Sequence, residues 1–204
     1  MATATKGFDG PLGKASAVVM ARMNRDMEIA AVDALDLQPH ASVLAIGFGP
    51  GVGVEELARR LPEVHVCGID PSAVMVAHAT RRNRAGADAG RVMLRRAGAE
   101  SIPWPDDSFD AVVAVNSAQL WHPLDTGLAE VARVLRAHGS LVMITHRWAI
   151  ERRCSPDAWV TDVAQCLALH GIETASSTKP FRSGPGIVVT ARRRAGPPTT
   201  APGA

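Results

Sequence analysis

Four glycines at alternate positions, Gly47, Gly49, Gly51 and Gly53, constrain this chain more than any other feature. They close a short apolar run, Val43 to Ile46, and open a pattern in which Val54, Leu57, Ala58 and Leu61 recur at spacings of three and four. That spacing predicts a helix with one apolar face. A second apolar run, Val64 to Ile69, ends at Asp70. Strand, glycine loop, helix, strand and acid in this order form the unit that holds a nucleoside at the edge of a parallel sheet. Glycines allow the backbone to approach a ligand closely, and the Asp70 carboxylate can accept from two vicinal ribose hydroxyls. Plain tight turns and helix caps use the same residue types, so the spacing carries the argument rather than any one glycine.

The rest of the chain fits an alternating pattern. Strands are expected at Val92 to Leu94, Phe109 to Val115 and Leu141 to Thr145. The Phe109 run is nearly continuously apolar, as the centre of a parallel sheet should be. A helix is expected after Ser72, with Met75, Val76 and Ala79 facing inward, and a flexible turn follows at Gly86 to Gly90. Leu128, Val131, Ala132 and Leu135 give a further helix its buried face. Ser155 and Pro156 read as cap and first position of another, running through Val163, Leu167 and His170 until Gly171 stops it. Glu173 to Lys179 and Ile187 to Ala191 are close enough only for an antiparallel pair. The fold class is therefore α/β, a doubly wound, mostly parallel seven-stranded sheet with an antiparallel last strand and helices on both faces. Residues 1–192 are read as one domain, with 1–37 a helical lid, 38–192 the core and 193–204 a disordered tail.

Composition narrows the classes. The 204 residues are 47% apolar and 21% charged, enough for one substantial core. No stretch approaches the roughly 18 apolar residues of a membrane span, and the N-terminus lacks the apolar segment of a secretory signal. Cys67, Cys154 and Cys166 are odd in number and widely spaced, which suggests a reducing, cytoplasmic setting without a disulfide framework. Net charge is only +2, and the arginine clusters lack interleaved aromatics, so a nucleic-acid partner is disfavoured. The histidines form no metal constellation in sequence, and none is expected. A homodimer remains open.

With VLAIGFGPGVG, GIDPSAVM, GAESIPWPDDSFDAVVAVNSAQLW and LAEVARVLRAHGSLVMI in this order, the chain resembles the class I S-adenosylmethionine-dependent methyltransferases, in the subgroup of small-molecule and quinone-pathway enzymes. The resemblance covers Val43 to about Thr145. It implies S-adenosylmethionine as cofactor, S-adenosylhomocysteine as product, and a Rossmann-like sheet. By the same resemblance Gly47, Phe48, Gly49 and Gly51 would line the methionine portion and ribose, and Asp70 would hold both hydroxyls. Pro71, Ser72, Ala99 and Glu100 would lie by the adenine, with Asn116 and Ser117 at the reacting end. Two departures stand out. Where the family usually has an acid two residues before the first glycine this chain has Ala45, and the acid common before Ala99 is replaced by Gly98.

Methyl transfer from a sulfonium needs alignment and exclusion of water more than covalent help. Where a base is required, His122 is the candidate, just beyond the fourth strand, because an imidazole is the side chain suited to proton transfer at neutral pH, with Asn116 beside it. Trp121, His146 and the methionines Met20 and Met23 are candidate walls for the acceptor. Methionine adapts to irregular apolar shapes, which favours a small and fairly hydrophobic acceptor methylated on O, N or C. The bland readings are packing for the methionines and tryptophan and a surface position for His122. Two rivals remain: a non-methylating cofactor-binding accessory protein, and a family member turned to another reaction such as a cyclisation. A nicotinamide oxidoreductase fits poorly, because position 52, where its third glycine belongs, is Val52.

Overall fold

The structure is a computed structural model and describes residues 23–194. Seven strands form one sheet: β1 (Ser42–Ile46), β2 (His65–Asp70), β3 (Val92–Arg96), β4 (Phe109–Val115), β5 (Leu135–His146), β6 (Ile172–Phe181) and β7 (Gly184–Arg193). Their order is β3-β2-β1-β4-β5-β7-β6. Every pairing among the first five is parallel. The last strand, β7, inserts antiparallel between β5 and β6, as the hairpin spacing required. The chain reverses direction along the sheet between β1 and β4, and at that switch point two loops leave neighbouring strands in opposite directions.

Helices cover both faces: α1 (Arg25–Asp33), α2 (Val52–Arg60), α3 (Ala73–Arg82), α4 (Arg84–Asp88), α5 (Leu124–Val134), α6 (Arg147–Glu151) and α7 (Pro156–Ala168). Alternation along β1 explains the two cores. Val43 and Ala45 face α1 and α2 with Met27, Val54 and Leu57, whereas Leu44 and Ile46 face α5 and α7 with Leu128, Val131 and Val163. Ser72 and Ser155 cap α3 and α7 through their hydroxyls, accepting from Met75 N and Ala158 N.

Several expectations shift. The flexible turn expected at Gly86 to Gly90 instead begins as the short helix α4, in which Gly86 is buried and packs so closely on β3 that a β-carbon there would lie 2.6 Å from Val92. β5 begins at Leu135, immediately after α5, and bulges before resuming at Ser140, so Leu135 is buried from a strand rather than a helix. The chain bends at Asn24, leaving Met23 half-exposed at 49% while Met27 is fully buried. Arg193, assigned to the tail, is the last residue of β7. Residues 1–22 of the expected lid, Met20 among them, and 195–204 of the expected tail lie outside the described residues.

Candidate functional site

The site lies at the carboxyl edge of β1, β2 and β4. Gly47, Gly49 and Gly51 all have positive φ, at 68°, 53° and 81°, so the loop is a run of left-handed turns closed to most side chains. Gly47 N donates to the Ile69 carbonyl at 2.7 Å, which ties the loop to β2. A β-carbon on Gly49 would meet nothing within 4 Å, whereas one on Gly51 would lie 2.7 Å from Ala79 Cβ. Gly49 therefore borders open space, and Gly51 is pressed against α3.

Asp70 ends β2 and is 6% exposed. Its Oδ2 accepts from Gly49 N and its Oδ1 from Ser72 N, both at 2.9 Å. Burial pushes its carboxyl above the usual range, and the two backbone donors pull it back toward ionisation. Each oxygen keeps a second lone pair, so two further hydroxyl donors can be taken. Pro71 precedes Ser72 on the surface, and its carbonyl accepts from Arg96 Nε at 3.0 Å.

Asn83 holds this loop from behind and carries no signal in the sequence. It is 5% exposed, and its Nδ2 donates to the Gly51 and Ala79 carbonyls at 3.1 and 2.9 Å. Arg82 adds a bond from Nε to the Pro50 carbonyl at 3.0 Å. Phe48 contributes only backbone to the open side. Its ring packs under Gly68, where a β-carbon would lie 2.7 Å from the ring.

On the β3 side, Ala99 is buried and Glu100 is exposed. The Glu100 carboxylate folds back into the space that a side chain on Gly98 would fill. A carboxylate thus stands beside Gly98 although the sequence has none at that position. Trp121 packs on α5, its ring 2.8 Å from where a Gly127 β-carbon would stand, and joins the core cluster that contains Ala99. Trp104 meets Phe109 edge-on at 5.5 Å under Arg95, at 4.8 Å.

The β4 and β5 ends form a polar knot. Asn116 has φ 50°; its Oδ1 accepts from His146 N at 2.9 Å, and its Nδ2 lies 3.3 Å from the Met27 sulfur. Ser117 donates to the Ile46 carbonyl at 2.7 Å. His146 is 4% exposed and stacks on Trp148 at 5.6 Å. Its Nε2 stands 3.2 Å from Asn24 Oδ1 and 3.3 Å from Ser183 Oγ, which itself donates to the Met23 carbonyl. Protonation at Nε2 satisfies this set and leaves Nδ1 a bare, buried lone pair. Desolvation holds the ring below its ordinary pKa despite the Asp26 carboxylate. His122 is exposed, on the segment between the short 3₁₀ turn Ala118–Leu120 and α5. Asn116 and His146 therefore come together with Met27, Ser117 is tied instead to the end of β1, and His122 stands outside that knot.

A cavity under the glycine loop is lined by Ala45, Gly47, Gly53, Val54 and Val113, with Glu28 the one ionisable group in its wall. The wide depression at the opposite edge of the sheet, beside Asp110, Arg136 and His138, is remote from these loops. Among the described residues no helix is long and apolar enough to cross a membrane, and no three His, Cys, Asp or Glu side chains stand together as metal ligands.

Residues 43–139 match the family described as methyltransferase domain. The uncharacterized methyltransferase YdaC of Bacillus subtilis is 30% identical over 121 residues, covering 59% of this chain and 65% of its own length. The ubiquinone/menaquinone biosynthesis C-methyltransferase UbiE of Geotalea daltonii is 33% identical over 115 residues, covering 56% and 49%. The chain thus spans about half to two thirds of the length of these relatives. In fold, it resembles a SAM-dependent methyltransferase from Aquifex aeolicus, with TM-score 0.70 and 18% identity over 87% of this chain and 97% of that one. It equally resembles the [4+2]-cyclase SpnF, with TM-score 0.72 and 20% identity over 84% and 81%.

Proposed function

We propose that this chain, a member of the class I S-adenosylmethionine-dependent methyltransferase family, methylates a small and fairly hydrophobic acceptor on O, N or C. The cofactor of that family is S-adenosylmethionine, and the residues of the first loop fit it. The observation that carries the reading is the bond from Gly49 N to Asp70 Oδ2, which sets an ionisable acceptor beneath an open, left-handed glycine. A ribose there would be held by lone pairs that the backbone leaves free on Asp70, with Ser72, Ala99 and Glu100 toward the base. When bound, the cofactor supplies an electrophilic methyl on a sulfonium.

The chain's own residues then align and desolvate. Asn116, Ser117 and Met27 close the β4 side with groups already tied to the fold, so they hold position without reorganising. Met23 and Trp121 are proposed contacts for the acceptor. For an acceptor that must lose a proton, His122 remains the proposed base on the exposed segment after β4. The buried Nδ1 of His146 is an alternative, since it is an acceptor without a donor. The reading places the protein in the cytoplasm, which its three free cysteines support, and leaves a homodimer to be tested. The likeness in fold to the [4+2]-cyclase SpnF favours one second reading, cofactor binding with a non-methyl reaction.

Calorimetric titration with S-adenosylhomocysteine tests the reading, beside Asp70→Ala and a reduced nicotinamide. The expected result is micromolar binding, at least tenfold weaker in D70A, and none of the nicotinamide. A folded protein that ignores the homocysteine adduct would refute it. Turnover of labelled cofactor with an acceptor panel then separates methyl transfer from mere binding, and a slower His122→Ala (H122A) at unchanged KM would support a base there.

A further inference from the structure

Glu28 is out of place for an ordinary helical surface residue. On α1 it lies half-buried against the first turn of α2, and a β-carbon on Gly53 would overlap its Oε2. The fourth glycine of the loop therefore makes room for this carboxylate. Apolar groups surround it on the sheet side: Ala45, Val113 and Val115 beneath, Val54 and Leu57 from α2. Nearby cations are engaged elsewhere. Arg25 and Arg59 both pair with the buried Glu56, at 2.6 and 2.7 Å. Desolvation by burial lifts the Glu28 carboxyl to about pKa 8, and among the described residues no hydrogen bond or cation opposes it. A carboxyl held partly out of water among apolar groups is costly to keep ionised, and a cationic ligand group would offset that cost.

The direction in which a ligand would run is fixed by the loops. A ribose held at Asp70 sits at the end of β2. The glycine loop leads from there toward β1 and β4, where Gly47 and Ala45 line the same cavity as Glu28. We infer that Glu28 is the counter-charge for the ammonium of the bound amino-acid portion of the cofactor, reaching from α1 into the space beside Ala45. The inference rests on the cofactor reading above. It also explains how the chain dispenses with an acid at position 45: the charge comes from a different element and enters the same cavity from the helix side.

The test uses the full chain, two ligands and one isosteric change. S-adenosylhomocysteine carries the ammonium; 5′-methylthioadenosine keeps the nucleoside and sulfur but lacks the amino acid. Both are titrated into wild type and Glu28→Gln, with circular dichroism confirming the fold. The inference expects the homocysteine adduct to bind E28Q at least tenfold more weakly and methylthioadenosine to bind both proteins within twofold. Unchanged affinity of E28Q for the homocysteine adduct would overturn it while leaving the cofactor reading intact. Equal weakening of both ligands would also overturn it, because Glu28 would then only shape the loop. A wild type that binds neither ligand refutes the cofactor reading and, with it, this role. Glu28→Ala gives a second variant in which the same selectivity for the amino-acid ligand is expected.

Discussion

Ser117 occupies the volume that a β-carbon on Gly47 would need, with its Oγ 2.9 Å from that point. The two residues lie just beyond the ends of β1 and β4, and the Ser117 hydroxyl is fixed on the Ile46 carbonyl at 2.7 Å. Gly47 also has φ 68°. Gly47→Ala therefore meets two penalties, a left-handed alanine and an overfilled contact, together about 2–4 kcal/mol. In a protein of this size that corresponds to a fall in Tm of roughly 5–15 °C. Adding Ser117→Gly removes the overlap but not the backbone strain. The double variant should melt above G47A alone, and a double variant that simply sums the two losses would show that the contact is not the cause.

Asn83 is predicted to matter to ligand binding without touching a ligand. Its amide satisfies two buried carbonyls, those of Gly51 and Ala79. Asn83→Ala leaves both unpaired, at a cost of about 1–3 kcal/mol, and frees the loop that carries Gly49. Asn83→Asp has the same shape but presents acceptors to acceptors, so it should melt no higher than N83A. Calorimetry should show at least fivefold weaker S-adenosylhomocysteine binding in both.

Glu28 makes ligand-free stability fall as pH rises. Its carboxyl titrates near 4.5 when unfolded and is raised to about 8 in the fold. The folded state holds the extra proton between those values, so stability is fully present below about pH 4.5 and is lost progressively toward pH 8. E28Q lacks this slope. Thermal melts at pH 5 and pH 9 should show E28Q gaining on wild type, by on the order of 2 kcal/mol at pH 9. Saturating S-adenosylhomocysteine should narrow that gap.

His146 acts in the opposite direction. Burial lowers its pKa below 6.5, so the unfolded chain takes up a proton first as pH falls. The contribution is intact above about pH 6.5 and erodes below it. His146→Gln keeps a polar side chain without the titration. Between pH 7.5 and 5.5 the wild type should lose about 1 kcal/mol more than H146Q, read as the difference in urea midpoints multiplied by m.

Much of the backbone frame of the candidate site could be read from the chain because its determinants are local. The glycines, the apolar runs and Asp70 lie within one strand–loop–helix–strand unit, and period and turn chemistry are properties of neighbouring residues. The antiparallel last pair followed from the short connection between two strand-like runs. The sequence by itself therefore determined the sheet, its switch point and the identity of the acid that ends β2. Only the tertiary structure decided what stands behind and beside that acid. Asn83 meets Gly51 across 32 positions, and Glu28 meets Gly53 from a helix whose pattern gives no hint of a desolvated carboxyl. His146 finds Asn24 across 122 positions, and the bend at Asn24 parts Met23 from Met27. Such pairings arise from how helices pack on a finished sheet, and no local spacing encodes them.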